Sequence, residues 1–98
     1  MPVDKLAFII VESSAEPDVL AALEELGIVH YTRFADIAGH GETGRRDGTA
    51  IFPGLNTVIM TAIPSDLVEP MIAALHRVRD SFLVTPGLKI IVTDCAMY

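Results

Sequence analysis

Residues 6–27, LAFIIVESSAEPDVLAALEELG, decide the fold, because a short apolar run is followed at once by a helical pattern. Residues 6–11 form a continuous apolar run bounded by charged residues, which is typical of a strand covered on both faces. Ser13-x-x-Glu16 has the spacing of a capping box. Gly27 is expected to end the helix as a C′ residue, after an apolar stripe at helical spacing made of Val19, Leu20, Leu23 and Leu26.

The same two patterns return in the second half of the chain. Ser65 or Asp66 is expected to cap a second helix. Further strands are predicted at about 28–37, 56–63 and 88–93, and the mixed polarity in the middle of the first of them suggests a bulge near Arg33. The element order is therefore β-α-β-β-α-β. This order predicts a single α+β domain over residues 1–98, a ferredoxin-like sandwich with two helices on one face of a four-stranded antiparallel sheet.

The composition indicates an assembling protein. Of 98 residues 51% are hydrophobic, and the mean hydropathy is +0.47. A domain of this size buries only about 60–65% of the surface that its unfolded chain exposes. We therefore expect a subunit interface to bury the excess apolar surface, with a tightly packed monomer as the alternative.

Charge and cysteine content exclude several classes of function. Seven Lys and Arg residues against thirteen Asp and Glu residues give a net charge of −6. Nucleic acids and anionic membranes both require a clustered positive surface, so neither is an expected partner. The lone Cys95 cannot form an intrachain disulfide, and the first apolar run is too short for a signal peptide or a membrane span. We therefore predict a soluble, cytoplasmic protein.

One long segment has no periodicity. Residues 38–48, AGHGETGRRDG, contain four glycines among eleven residues, and Pro53-Gly54 adds a turn signal at the far end. Loops of this length are uncommon in compact domains unless they have a function, so we predict a flexible functional insertion at about residues 38–54. Successive glycine amides beside Arg45 and Arg46 have the chemistry to cradle an anion.

Three stretches carry a resemblance to a known family. Residues 8–11 and 18–28, FIIV and DVLAALEELGI, supply a strand and a helix. Gly39-His40-Gly41 opens the long loop, and residues 65–72, SDLVEPMI, open the second helix. In this order and spacing they resemble the PII signal-transduction proteins and their PII-like relatives, in which a Gly-aromatic-Gly step stands at the base of the long T-loop.

The resemblance implies a homotrimer that binds adenine nucleotides in the clefts between subunits and signals through the T-loop to a partner protein. The family's glycine-rich phosphate loop is replaced here by residues 79–87, RDSFLVTPG, and its arginine-bearing C-terminal extension is missing. ATP with 2-oxoglutarate is therefore not the expected ligand pair. We predict a small anionic metabolite, with an adenine nucleotide (ADP, AMP or ATP) as the first candidate, bound by Gly39, His40, Gly41, Arg45, Arg46, Gly87 and Lys89.

Two other classes of function stay open. A metal-binding trimer of the CutA type would use His40 with Asp36 and Glu42 as ligands. A small ferredoxin-like isomerase or oxygenase would use His30, Tyr31 or Asp36 as an acid or base. The sequence shows no nucleophile, base and orienting group at a recognisable spacing, so we predict a protein without catalytic residues.

Overall fold

A computed structural model describes residues 2–41, 44–46 and 55–98, with the backbone alone at 38–41 and 44–46. The elements are β1 (Lys5–Glu12), α1 (Glu16–Glu25), β2 (Thr32–Gly41), β3 (Gly44–Arg46), β4 (Leu55–Ile63), α2 (Val68–Asp80) and β5 (Leu88–Asp94). The predicted order of strands and helices is confirmed, with β3 as a short addition. Glu42 and most of the predicted flexible insertion lie outside the described residues.

The strands form one antiparallel sheet in the order β3-β2-β4-β1-β5. Without the short β3, this is the four-stranded sheet of a ferredoxin-like fold. Alternate residues of a strand share a face, and one face is packed against both helices. The buried core between the sheet and the helices contains Ala7, Ile9 and Val11 of β1, Ile59 and Ile63 of β4, Val19 and Leu23 of α1, and Met71 and Leu75 of α2.

Glycine ends α1 as the sequence predicts. Gly27 has φ +80°, its N–H donates to the carbonyl of Glu24 at 2.9 Å, and the N–H of Ile28 donates to the carbonyl of Leu23 at 2.9 Å. These two bonds are those of a Schellman motif. Among the described residues no helix is long and apolar enough to cross a membrane; α1 has 10 residues and α2 has 13.

The predicted N-terminal caps are wrong. Ser13 lies in a 3₁₀ turn before α1, and neither that turn nor α1 has a side-chain cap. The Ser13 hydroxyl instead lies 3.1 Å from the hydroxyl of Thr57 in the neighbouring sheet. Ser65 and Asp66 likewise form a 3₁₀ turn ahead of α2, and neither residue caps the helix. In both places the residue predicted as the cap lies inside a 3₁₀ turn, ahead of the first residue of the α-helix.

The second strand lies further along the chain than predicted. It runs over Thr32–Gly41, and residues 28–31 precede it outside any strand. Its pairing with β4 is interrupted between Phe34 and Ile37, and Asp36 there has φ +58°. An extra residue in a left-handed conformation is the mark of a β-bulge, and Asp is among the few residues that tolerate it. The predicted bulge near Arg33 is confirmed, and it lies between Phe34 and Ile37.

The other face of the sheet is largely apolar, and neither α1 nor α2 covers it. The register aligns Ile91 with Phe8 and Phe8 with Met60, and the next row aligns Ile10 with Val58. Ile91 and Phe34, at the two sides of this face, are each 46% exposed. We call this surface the open face; its apolar residues are Leu6, Phe8, Ile10, Phe34, Val58, Met60, Ala62 and Ile91, and Lys89, opposite Ile10, lies on the same face at the β5 edge.

Candidate functional site

The predicted glycine segment begins as part of the sheet. Strand β2 continues through Gly39, His40 and Gly41 and pairs with β3, aligning His40 with Arg45 and Gly39 with Arg46. Sequence reasoning expected a loop from residue 38 because the segment has no apolar alternation. Strand pairing uses backbone N–H and C=O groups, however, and can continue without that alternation.

A row of four neighbouring residues, Ile37, Asn56, Glu12 and Gly87, runs across the strands beside this segment. We call these four residues the end row. Ile37 pairs with Asn56, Asn56 pairs with Glu12, and the N–H of Glu12 donates to the carbonyl of Gly87 at 3.0 Å. Three strand spacings separate the two ends of the row by roughly 14 Å. The glycines at 39–41 and Gly87 therefore lie at the same end of the sheet, on either side of Asn56 and Glu12.

Both backbone groups of Gly87, the N–H and the carbonyl, are hydrogen-bonded to Glu12. Its N–H donates to Oε1 of Glu12 at 3.2 Å, in addition to the bond through its carbonyl. Glu12 is only 8% exposed, so a carboxylate is buried next to this glycine. Lys89 follows two residues later on β5, opposite Ile10. Sequence reasoning predicted Gly87 and Lys89 as ligand contacts and did not single out Glu12, because one acidic residue at the end of a strand forms no recognisable pattern.

A groove of about 470 Å³ lies at the opposite end of the sheet. Its lining consists of Leu6, Val29, His30, Tyr31, Thr32, Met60, Thr61, Ala62 and Met97. The apolar part belongs to the open face, and residues 29–31 form one wall just before β2 begins. The Thr61 hydroxyl donates to the carbonyl of His30 at 2.8 Å, which fixes that wall to β4.

Sequence reasoning did not identify the groove as a site. His30 and Tyr31 were noted there as candidate acids or bases, but Leu6, Met60 and Met97 read as ordinary apolar residues. The groove forms because the strand starts four residues late and leaves residues 28–31 outside the sheet. Met60 and Asn56 are four residues apart on β4, which puts about 13 Å between the groove and the end row.

A charged cluster on the helix-covered face joins α1 to β2. The Nε–H of Arg33 donates to Oε2 of Glu16, and the Thr57 hydroxyl donates to Oε1 of the same carboxylate at 3.2 Å. The hydrogen bond from Arg33 holds the pKa of Glu16 below its ordinary value of 4.5, against the opposing effect of partial burial. The cluster fixes β2 just before the bulge, on the face away from the groove.

The geometry of the described residues gives little support to the two alternative functions, the metal site and the small enzyme. In the part of the chain that the structure describes, no three His, Cys, Asp or Glu side chains are grouped as metal ligands. Of the predicted metal ligands, Asp36 lies at the bulge, while the His40 side chain and Glu42 lie outside what is described. Of the predicted acids and bases, His30 and Tyr31 share the groove, whereas Asp36 lies in the bulge and does not line the groove.

Comparisons with known proteins agree with this architecture. The family model for nitrogen regulatory protein P-II matches residues 4–94. CPII, a nitrogen regulatory PII-like protein from Thiomonas intermedia K12 bound to ADP, AMP and bicarbonate, is similar at a TM-score of 0.69 and 18% identity, covering 96% of this chain and 89% of that one. A DUF3240 family protein from Shewanella baltica OS155 is similar at a TM-score of 0.73 and 15% identity, covering 100% of this chain and 96% of that one.

At these identities the structural likeness is one of fold, and comparison with curated protein sequences finds no match. The family model is the stronger finding, because it spans both β-α-β halves and the segment between them. It ends at the last residue of β5. The chain belongs to the nitrogen regulatory protein P-II family.

Proposed function

We propose that this protein is a PII-type regulator that binds an adenine nucleotide, AMP or ADP, in clefts between its own copies. One observation carries the proposal: the groove and the end row lie at opposite ends of one apolar face, about 13 Å apart along β4. Copies packed through that face in a closed ring would set the groove of one copy beside the end row of the next.

The open face supports assembly as a homotrimer. Large apolar side chains form its middle rows, and exposed patches of this kind mark interaction surfaces. A closed ring covers the face in every copy and leaves no free complementary surface for further growth. The trimer is also the assembly that the family resemblance implies.

The groove is suited to the base of the nucleotide. Leu6, Met60 and Ala62 provide apolar contact, and Tyr31, 39% exposed, provides an aromatic face. Base stacking on such a side chain contributes about 1–3 kcal/mol. Residues 29–31 lie outside the strand, so their backbone groups can bond the edge of a base. His30 and Tyr31 are in this proposal ligand contacts and have no catalytic role.

The end row is suited to the sugar and phosphate. Gly39 and Gly41 have no side chain to keep a phosphate from the backbone. In the proposal the paired strands β2 and β3, which carry His40, Arg45 and Arg46, lie on one side of the phosphate, and Gly87 and Lys89 lie on the β5 side. CPII, one of the structural neighbours, is bound to ADP and AMP in its structure, which agrees with a ligand of this class. The net charge of −6 opposes any anion, so binding depends on these local donors and weakens as salt rises.

The signalling step of the proposal uses the segment at about 38–54. A ligand on the end row contacts the base of this segment, and it shifts the segment's conformation only if it binds one state more tightly. A partner protein then recognises the favoured state. The cytoplasmic location remains a prediction that rests on the lone Cys95.

Calorimetry with AMP and ADP tests the proposal on the wild type and two variants. Tyr31→Ala removes the stacking surface and is expected to weaken binding about tenfold. Gly41→Val blocks approach to the backbone, yet valine suits a strand, so the variant should fold. Tyr98→Ala is the matched control, because Tyr98 is fully exposed and outside the groove. Absence of heat with either nucleotide, or equal affinity in all four proteins, would refute the proposal.

A further inference from the structure

One side of the groove is formed by residues that follow the last strand, and we call them the 95–98 segment. The N–H of Cys95 donates to the carbonyl of Asp4 at 3.0 Å, which joins the start of the segment to the residue before β1. Met97, two residues later, lines the groove. The segment therefore turns from the β5 edge toward β1 and β4, which supply the apolar floor of the groove.

Beyond Cys95 the segment is only loosely attached. Ala96, Met97 and Tyr98 make no hydrogen bond or ion pair with the described residues. Met97 is 66% exposed although it lines the groove. Methionine has three rotatable bonds and a polarisable thioether, so it adapts to irregular apolar surfaces. The Met97 side chain can therefore move over a molecule in the groove without breaking a hydrogen bond.

A base bound in the groove has two faces to cover. The wall at residues 29–31 lies on the β2 side of the floor, and the 95–98 segment reaches the floor from the β5 side. Tyr31 and Met97 therefore flank the floor from two sides, and both are partly exposed. A planar base stacked on Tyr31 leaves its second face in water unless another apolar group covers it. Sulfur–aromatic contacts are favourable, and Met97 carries the sulfur in the required place.

We propose that Met97 packs on the second face of the bound base and holds it against Tyr31, so that the 95–98 segment completes the base site. This inference rests on the proposed function and adds a specificity-determining residue to the same site. The contact is to the base alone. Met97→Ala should therefore weaken adenosine and AMP by the same factor, about threefold to tenfold. Met97→Leu keeps an apolar side chain of similar size and should remain within about twofold of the wild type.

Calorimetry with adenosine and AMP tests the affinities. Tyr98→Ala is the matched control, because Tyr98 is the next residue of the same segment, is fully exposed and does not line the groove; it should bind both ligands like the wild type. Gly41→Val provides the opposite pattern, since it blocks the proposed phosphate site and should weaken AMP more than adenosine.

Nuclear magnetic resonance of isotope-labelled methionine methyl groups tests the contact itself. The chain has four methionines. Met60 and Met97 line the groove, whereas Met71 is 0% exposed in the core beneath the helices. Added AMP should shift the Met97 and Met60 signals through the ring current of the base and leave the Met71 signal in place. The signal that disappears in Met97→Leu identifies Met97.

The outcomes separate this inference from the function beneath it. If AMP binds but the Met97 signal does not move, or if Met97→Ala binds AMP as tightly as the wild type, the role of Met97 is refuted and the proposed function survives. A loss of affinity confined to AMP would also refute it, because the contact would then be to the phosphate. If no adenine nucleotide binds the wild type, both proposals fail.

Discussion

Ile59 and Ile91 provide matched probes of the two faces of the sheet. Ile59 on β4 is 0% exposed beneath the helices, and Ile91 on β5 is 46% exposed on the open face. The same substitution, isoleucine to alanine, therefore reports on the core at one position and on assembly at the other. We predict that only the effect of Ile91→Ala depends on protein concentration.

The magnitudes follow from burial. Removing a fully buried isoleucine side chain costs about 2–5 kcal/mol, which is the expected loss for Ile59→Ala. Complete burial of an isoleucine is worth about 1.5–3 kcal/mol, so the 46% left exposed on Ile91 corresponds to roughly 0.7–1.4 kcal/mol per copy when another copy covers it. Over the three copies of a trimer this is about 2–4 kcal/mol, or roughly 30-fold to 1,000-fold in the assembly constant.

Sedimentation across a range of concentrations measures assembly, and urea unfolding at high and low protein concentration measures stability. Ile91→Ala should shift the monomer–trimer equilibrium toward monomer, while Ile59→Ala should lower the unfolding midpoint at every concentration. A wild type that stays monomeric at all concentrations would refute the reasoning. So would an Ile91→Ala variant that assembles as tightly as the wild type.

Two further predictions concern stability. The pKa of Glu16 is lowered on folding, so the stabilisation that its carboxylate provides is present above pH 4.5 and is lost as the pH falls through the lowered value. The difference in urea midpoint between the wild type and Glu16→Gln should therefore shrink from pH 7 to pH 3. A difference that stays constant would contradict the role of the Arg33 hydrogen bond. Gly27→Ala should destabilise the protein by about 1–2 kcal/mol in thermal or urea unfolding, because alanine is strained in the left-handed backbone conformation of this position. No steric clash adds to this cost, since an added Cβ meets nothing within 4 Å. Unchanged stability of the variant would contradict this prediction.

The order of elements could be predicted from the sequence because its signals are local. The apolar run at 6–11, the helical stripe before Gly27 and the β-branched third strand each indicate their structure within a few residues. The start of β2 could not be predicted in this way. Residues 28–31 are as apolar as a strand, and only pairing with β4, interrupted by the bulge at Asp36, decides that the strand begins at Thr32.

The candidate site was predictable only in part, for a similar reason. Glycines at 39 and 41 are conspicuous in the sequence, and Gly87 follows a proline at a turn. Glu12, Asn56 and Met60 become relevant only through the register of β1 and β4, which places the first two in the end row and the third in the groove. Register is set by long-range pairing, and a single strand's pattern does not reveal it.

A site shared between two copies can be tested by mixing two damaged proteins. Tyr31→Ala keeps the end row and damages the groove, while Gly41→Val does the reverse, so each protein alone should bind AMP poorly. After equal amounts are unfolded and refolded together, about a quarter of the clefts in randomly mixed closed rings should combine an intact groove with an intact end row. Recovery of about that fraction of wild-type AMP sites is the predicted result. A mixture that binds no more AMP than the two variants separately would contradict a nucleotide site built between copies.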